Sequence, residues 1–244
     1  MKKLFVIMLS VLVAVPVFAE VLEFAEYSLD QTWVGYYSSQ NDFGNRSNDT
    51  WVEIQGGIDY YWRTQRMIIR NDLSSIPVGS NIISATLSIY GVNHGGPGGA
   101  VEVYAIEPTA AWTKTGASWN TMDGTNLWPT TGTGAVGYNL YGGWLTPGAI
   151  DSEVVTGSTQ IPELPFDVTS VVQDWVDGTR GNQGLALTFG SGLDDSSYFY
   201  WYNNNATGGA LGAGTRLSVL YEVPEPTTII LLGIGSLIGL KRRK

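Results

Sequence analysis

The sequence contains no cysteine and only one histidine among its 244 residues. The absence of cysteine excludes a disulfide-stapled scaffold, a thiolate metal site and a cysteine nucleophile. Positive charge is also scarce. Six of the 13 basic residues lie in the first three and last four positions, which leaves 7 basic against 21 acidic residues between positions 20 and 222, a net charge of −14. This acidic body excludes a nucleic-acid binder, because such proteins need a clustered positive surface.

Residues 20–222 predict one all-β domain, an antiparallel β-sandwich of jelly-roll type with one short helix. Ala85, Leu87 and Ile89 alternate with polar residues, which is the period of a half-buried strand. Clusters of Gly, Pro, Asn, Asp and Ser separate the candidate strands. The predicted strands are 32–36, 50–54, 65–70, 84–90, 101–106, 185–189, 198–202 and 216–221, and residues 121–160 are predicted to be a long connection.

The predicted helix follows Asp167, where the apolar stripe of residues 171–176 begins. Ser170 and Gln173 have the spacing of a capping box, and Gly178 is a suitable end. A carboxylate at Asp167 interacts favourably with the positive end of the helix dipole. The Asp72 carboxylate can accept hydrogen bonds from backbone amides of the turn that follows Asp72. We therefore give both aspartates structural roles.

Both ends of the chain have the charge and hydropathy pattern of sorting segments. Residues 1–19 start with two lysines, continue in an apolar run and end in small residues, as a secretory signal helix does. An uncleaved anchor helix is the alternative. At the other end, Pro224, Glu225 and Pro226 precede the charge-free run 227–240 and four basic residues. The run is short for a membrane span, and its basic end would stay in the cytoplasm.

Residues 223–244 resemble the PEP-CTERM sorting signal of bacteria that produce exopolysaccharide. The resemblance implies export, transient membrane anchoring by a hydrophobic helix at 227–240, and cleavage near Pro224–Pro226 by an exosortase. The partners it implies are the exosortase and the export machinery. The localisation it implies is the cell envelope or the extracellular matrix. A permanent tail anchor is the alternative.

The order of motifs in the body resembles the DNRLRE domain family, which is related to disaggregatase-associated modules and to carbohydrate-binding modules. The resemblance covers about residues 27–221, and Asn71 departs from it by replacing an aromatic or apolar residue. It implies an antiparallel β-sandwich at the cell surface. The segments that carry it are 66–77, 83–90, 111–113, 117–120, 166–178, 182–187 and 216–221.

Aromatic residues supply the best functional signal, because the flat faces of sugar rings stack on indole and phenol rings. In a strand at 198–202, alternate residues share a face, so one face holds rings about 7 Å apart. We assign Trp112, Trp119 and Trp175 to the core. For the run at 198–202, packing and ligand contact are both open. The candidate carbohydrate-binding residues are Tyr198, Tyr200, Trp201, Tyr202, Asn203, Tyr60, Tyr61 and Trp62.

Calcium is the cofactor for which the sequence offers candidate ligands, because two loops are rich in oxygen-bearing side chains. Ordinary solvated turns are the alternative. The candidate ligands are Asn41, Asp42, Asn45, Asp49, Asp194 and Asp195. The single histidine, His94, lies in a glycine-rich segment that predicts a solvated turn rather than a catalytic base. We therefore expect no enzymatic activity.

Three functions are compatible with these patterns. The first is an exported, non-catalytic protein that binds extracellular polysaccharide through exposed aromatics. The acidic body favours neutral glycans over polyanions. The second is a structural matrix or surface protein that self-associates and has no sugar site. The third is a polysaccharide-degrading enzyme built on paired carboxylates.

Overall fold

The computed structural model describes residues 21–27, 30–37, 46–49, 51–56, 63–129, 144–156, 161–193, 196–202 and 214–223. Nearly all regular structure in these ranges is β-strand, and the one helix, α1, spans Thr169–Val176. The strands are β1 (Val21–Tyr27), β2 (Asp30–Tyr37), β3 (Trp51–Gln55), β4 (Arg63–Arg70), β5 (Asn81–Gly95), β6 (Gly98–Ala105), β7 (Asp151–Thr156), β8 (Ile161–Asp167), β9 (Leu185–Phe189), β10 (Tyr198–Tyr202) and β11 (Gly214–Glu222).

The predicted all-β class is confirmed, and each of the eight predicted strands corresponds to an observed one. Three strands were not predicted: β1, β7 and β8. β7 lies within the segment that was predicted to be a connection. β8 contains Pro162 and Pro165, which a strand tolerates because it pairs on one side only, with β5.

The strands form two antiparallel sheets that are joined through β5. The first sheet has the order β1-β11-β5-β8. The second contains β10, β3, β4, β9, β6 and β7 in that order, and β2 pairs with β4 along its whole length. The last residues of β5, 93–95, leave the first sheet and pair with β10 in the second. A single strand of 15 residues therefore fixes how the two sheets meet.

The main core lies between the facing sides of these sheets. Leu87 and Val219 of the first sheet belong to the same buried cluster as Ile54, Met67 and Phe189 of the second. A buried hydrogen bond also crosses the core, from the Thr215 hydroxyl to the Gln31 side-chain oxygen at 2.7 Å. Apolar burial on both inner faces is the main source of stability in such a sandwich.

The other face of the second sheet is covered as well, by the long segment after β6. Trp112, Trp119, Trp128 and Trp144 pack there in a second buried cluster. β4 is buried at every position from 64 to 69, and β9 is buried throughout. The segment 106–128 thus acts as a third layer, and its tryptophans fill the space between loop and sheet.

A fully buried arginine, Arg66, lies under this layer. Its guanidinium carbon is 5.2 Å from the centre of the Trp119 ring, close enough for a cation–π contact. Burial lowers the pKa of Arg66 to about 10, and a smaller electrostatic interaction with Tyr104 acts in the opposite direction. The side chain therefore stays positive at neutral pH, within an aromatic environment.

Helix α1 packs its apolar stripe on the core as predicted, with Val171, Val172 and Val176 buried. The predicted capping box is wrong: the N-cap is Val168, and it makes no side-chain cap bond. Gln173 instead accepts a hydrogen bond from the Ile82 amide and donates one to the Ser80 carbonyl. The predicted end is confirmed, since Gly178 follows the helix with a φ of 70°.

Among the described residues, no helix has the length and apolar character that crossing a bilayer requires. The predicted signal helix at 1–19 and the predicted hydrophobic helix at 227–240 lie outside the described residues.

Replacing Gly184 by alanine is expected to destabilise the protein far more than the same change at Gly192. Both glycines have positive φ, 87° and 81°. The added Cβ at Gly184 would collide with the backbone carbonyl of Ile69, whereas no heavy atom lies within 4 Å of that position at Gly192. We expect Gly192→Ala to cost about 1–2 kcal/mol, the usual penalty of a left-handed residue, and Gly184→Ala to cost clearly more. Urea denaturation measures both, and equal losses would contradict the packing described here.

The stability of the protein is expected to fall in acid partly through Asp167. Its carboxylate accepts hydrogen bonds from the hydroxyl and the amide of Thr169, and these bonds lower its pKa below the ordinary 3.8. A lowered folded-state pKa gives stability that is present above about pH 4 and is lost as the pH falls through the folded value. Asp167→Asn should flatten this part of the pH–stability curve. The same charge change at Asp177 is the control, and an unchanged slope in Asp167→Asn would refute the assignment.

Candidate functional site

Strand β10 divides its aromatic residues between two environments. Phe199 and Trp201 are each 1% exposed and belong to the main core, whereas Tyr198 is 36% exposed and Tyr200 is partly exposed. The sequence prediction that Trp201 offers a ring to a ligand is therefore corrected. Alternation puts Trp201 on the inner side of the strand, where it is sealed in the core.

The outer side of β10 continues onto β3 and forms a strip of exposed rings. Tyr200 pairs with Glu53, and Tyr202 pairs with Trp51. Trp51 is 39% exposed, and its ring meets Tyr200 nearly perpendicularly, with centroids 5.4 Å apart. The Tyr198 and Tyr200 rings are close to parallel at 6.2 Å. We call Trp51, Tyr200 and Tyr198 the aromatic strip.

An open cleft of about 400 Å³ lies beside this strip. Its lining residues combine two indole rings with two carboxylates and an amide: Trp33, Asn48, Asp49, Trp51 and Glu53. Aromatic faces beside hydrogen-bonding side chains suit the non-covalent recognition of a sugar, which presents apolar C–H faces and a rim of hydroxyl groups.

Asp49 is held in place on the cleft wall. Its carboxylate accepts a hydrogen bond from the Trp33 indole N–H at 3.1 Å and lies 3.9 Å from the Arg46 guanidinium. The same guanidinium lies 5.2 Å from the centre of the Trp33 ring. These contacts fix one wall of the cleft before any ligand arrives, which lowers the entropy lost on binding.

Of the six predicted calcium ligands, the structure describes only one. Asp49 is described, and its contacts are the indole and the guanidinium above. Asn41, Asp42, Asn45, Asp194 and Asp195 lie outside the described residues. Within the described ranges, no group of three or more His, Asp or Glu side chains is placed to hold a metal ion. Calcium binding stays a prediction.

Several other predicted residues also fall outside the description. These are Tyr60, Tyr61, Trp62, Asn203, Pro224, Glu225 and Pro226, and for Tyr202 only the backbone is described. His94 lies within strand β5 and pairs with Phe199, so the prediction that it sits in a turn is wrong at the level of the backbone.

Most of the cleft was missing from the predicted site. Trp51, Glu53, Asn48 and Trp33 were not among its candidates, although Trp51 and Glu53 alternate with the apolar Val52 and Ile54. That alternation would have placed Trp51 and Glu53 together on one face of a strand. Trp33 and Asn48 carried no comparable signal, because only the pairing of strands brings them to the same place.

One comparison with known proteins finds a match at the C-terminal end of the chain. Residues 222–244 match the PEP-CTERM protein-sorting motif. No curated protein matches the chain. The motif indicates an exported protein that is sorted by an exosortase and is anchored or processed at the cell envelope. The resemblance of residues 27–221 to the DNRLRE family stays a prediction.

Replacing Trp201 by alanine is expected to lower the free energy of unfolding by about 3–5 kcal/mol, because it empties a core position. Trp51→Ala is expected to cost no more than about 1 kcal/mol, since its ring is partly in solvent already. Denaturant titration compares the two variants. Similar losses would mean that Trp51 is a packing residue and that the aromatic strip is not a free surface.

Proposed function

We propose that this protein is a non-catalytic component of the cell envelope or extracellular matrix that binds a polysaccharide through the aromatic strip and the adjoining cleft. The observation that carries the proposal is the exposed ring of Trp51, which lies against Tyr200 at the edge of a cleft lined with carboxylates and an amide. The sorting motif supports an envelope location, and the resemblance of the body to the DNRLRE family supports a carbohydrate ligand.

Each part of the cleft has a role in this proposal. Trp51 stacks on the apolar face of a sugar ring, Glu53 accepts hydrogen bonds from its hydroxyl groups, and Asn48 both accepts and donates them. Tyr200 and Tyr198 extend the contact along the strand, because their centroid separation of 6.2 Å is close to the two-residue repeat of about 7 Å. The polysaccharide thus runs along β10 rather than entering a deep pocket.

The charge of the protein selects among polysaccharides. Asp49 and Glu53 line the cleft, and the body as a whole is strongly acidic. Polyanionic chains are repelled from such a surface unless a cation bridges the two, so neutral chains are the preferred ligands. An open site of this kind binds weakly, with a Kd of roughly 0.01–1 mM. Many copies in one matrix raise the effective strength through multivalency.

Affinity electrophoresis tests the proposal. The body, residues 20–223, is expected to be retarded in gels that contain a neutral polysaccharide, and Trp51→Ala and Tyr200→Ala should each weaken retardation about five- to tenfold. Tyr90→Ala is the matched control, because Tyr90 is a partly exposed tyrosine on the other sheet. Unchanged retardation in both strip variants, or no retardation of the folded protein in any gel, would reject the proposal.

The two alternative functions have distinct signatures in the same experiments. A self-associating matrix protein assembles without glycan, which light scattering detects with and without calcium. A polysaccharide-degrading enzyme releases reducing ends from the polysaccharides in the gels. A thermal shift on addition of calcium, reversed by a chelator, tests the predicted metal site.

A further inference from the structure

Both ends of the body leave from the same end of the sandwich. Strands β1 and β11 pair so that Val21, the first described residue, lies opposite Glu222, the last residue of β11. β5 starts at this place too, since Asn81 pairs with Glu222 and donates a side-chain hydrogen bond to its carboxylate at 3.1 Å. Val223, where the sorting motif has already begun, packs against the main core.

The length of chain between the body and the apolar run is very short. Only residues 224–226 separate Val223 from the charge-free run that starts at Thr227. Four residue steps span at most about 14 Å, even when fully extended. The polar layer of a bilayer is roughly 5–8 Å thick on each side of its hydrocarbon core. When the run is inserted, the end of β11 must therefore lie at or near the lipid headgroups.

Exposed apolar side chains are found at this end of the body. Val78 is 79% exposed and Ile83 is 42% exposed. Val78 lies in the turn before β5, which is closed by a hydrogen bond from the Ser80 amide to the Pro77 carbonyl. Gln173 of α1 holds the turn by bonding Ser80 and Ile82. The turn is therefore held in place by hydrogen bonds, and it carries the exposed Val78 side chain.

We infer that the end of the body formed by Val78, Ile83, Asn81 and Glu222, here called the membrane-facing end, rests on the bilayer surface while the sorting tail is inserted. The occupant of this surface is the headgroup layer of zwitterionic lipid, into which Val78 and Ile83 dip. The acidic body offers no attraction to anionic lipid, so the contact depends on the tail that holds it there.

The inference also orients the rest of the molecule. Along β5, twelve residue steps lead from Asn81 to Asn93, which pairs with Tyr200. At about 3.3 Å per residue this distance is roughly 40 Å. The aromatic strip therefore lies at the end of the body that is far from the membrane in which the tail is inserted.

The absence of native cysteine makes a direct test clean, because one introduced thiol gives one labelled position. The mature full chain with its tail is purified without exosortase, reconstituted into phosphatidylcholine–phosphatidylethanolamine vesicles, and labelled with an environment-sensitive fluorophore at Val78→Cys or Ile83→Cys. Ser191→Cys is the control. Ser191 is exposed and follows Gly190, whose amide bonds Ala100 near the start of β6, at the far end of the body.

Lipid carrying a doxyl quencher near the headgroup is expected to quench the label at position 78 or 83 at least twofold more than the label at position 191. Vesicle flotation and mass spectrometry establish that the chain is membrane-bound and that its tail is intact. Equal quenching at the three positions, stronger quenching at position 191, or failure of the intact chain to float would overturn the inference. Two independent reporter positions guard against a single variant that fails to fold.

Discussion

The long strand β5 is the constraint on which the rest of the structure depends. Its first part pairs with β11 and β8 in one sheet, and its last residues pair with β10 in the other. These registers fix the start of the sorting tail at one end of the strand and Tyr198 and Tyr200 at the other. Register is strongly specified here because a shift by one residue would turn Leu87 and Ile89 out of the core.

Aromatic richness in this chain is mainly a packing feature rather than a binding signal. Six of the eight described tryptophans are at most 7% exposed, and Trp128 and Trp144 stack on each other at 4.5 Å. A sheet that is buried on both faces needs bulky side chains on both sides, and the loop layer over β4 and β9 supplies tryptophan for that purpose. Trp51 differs from these buried tryptophans because 39% of its surface is exposed.

The sequence could predict the strands better than the site, for a physical reason. Period-two alternation is a local property, so it located β5, β6 and β11, and the same period along 198–202 separated Tyr198 and Tyr200 from Phe199 and Trp201. Both faces of β10 are aromatic, however, and only its pairing with β3 and β5 decides which face meets the core. The predicted capping box failed for the same reason, that long-range contacts decide. The Gln173 side chain forms its hydrogen bonds with the backbone of Ser80 and Ile82, more than 90 positions earlier.

The shallow, pre-organised binding site and the membrane-anchoring tail support the same function. The cleft is open, so the binding energy available from one sugar contact is small, and useful retention requires many sites that act together. A tether that held the cleft against the membrane would prevent this, because a long polymer could not reach it. With the tail and the cleft at opposite ends of β5, anchored copies hold their aromatic strips at a distance from the membrane. The same 15-residue strand that joins the sheets would thus also set the spacing between membrane and ligand.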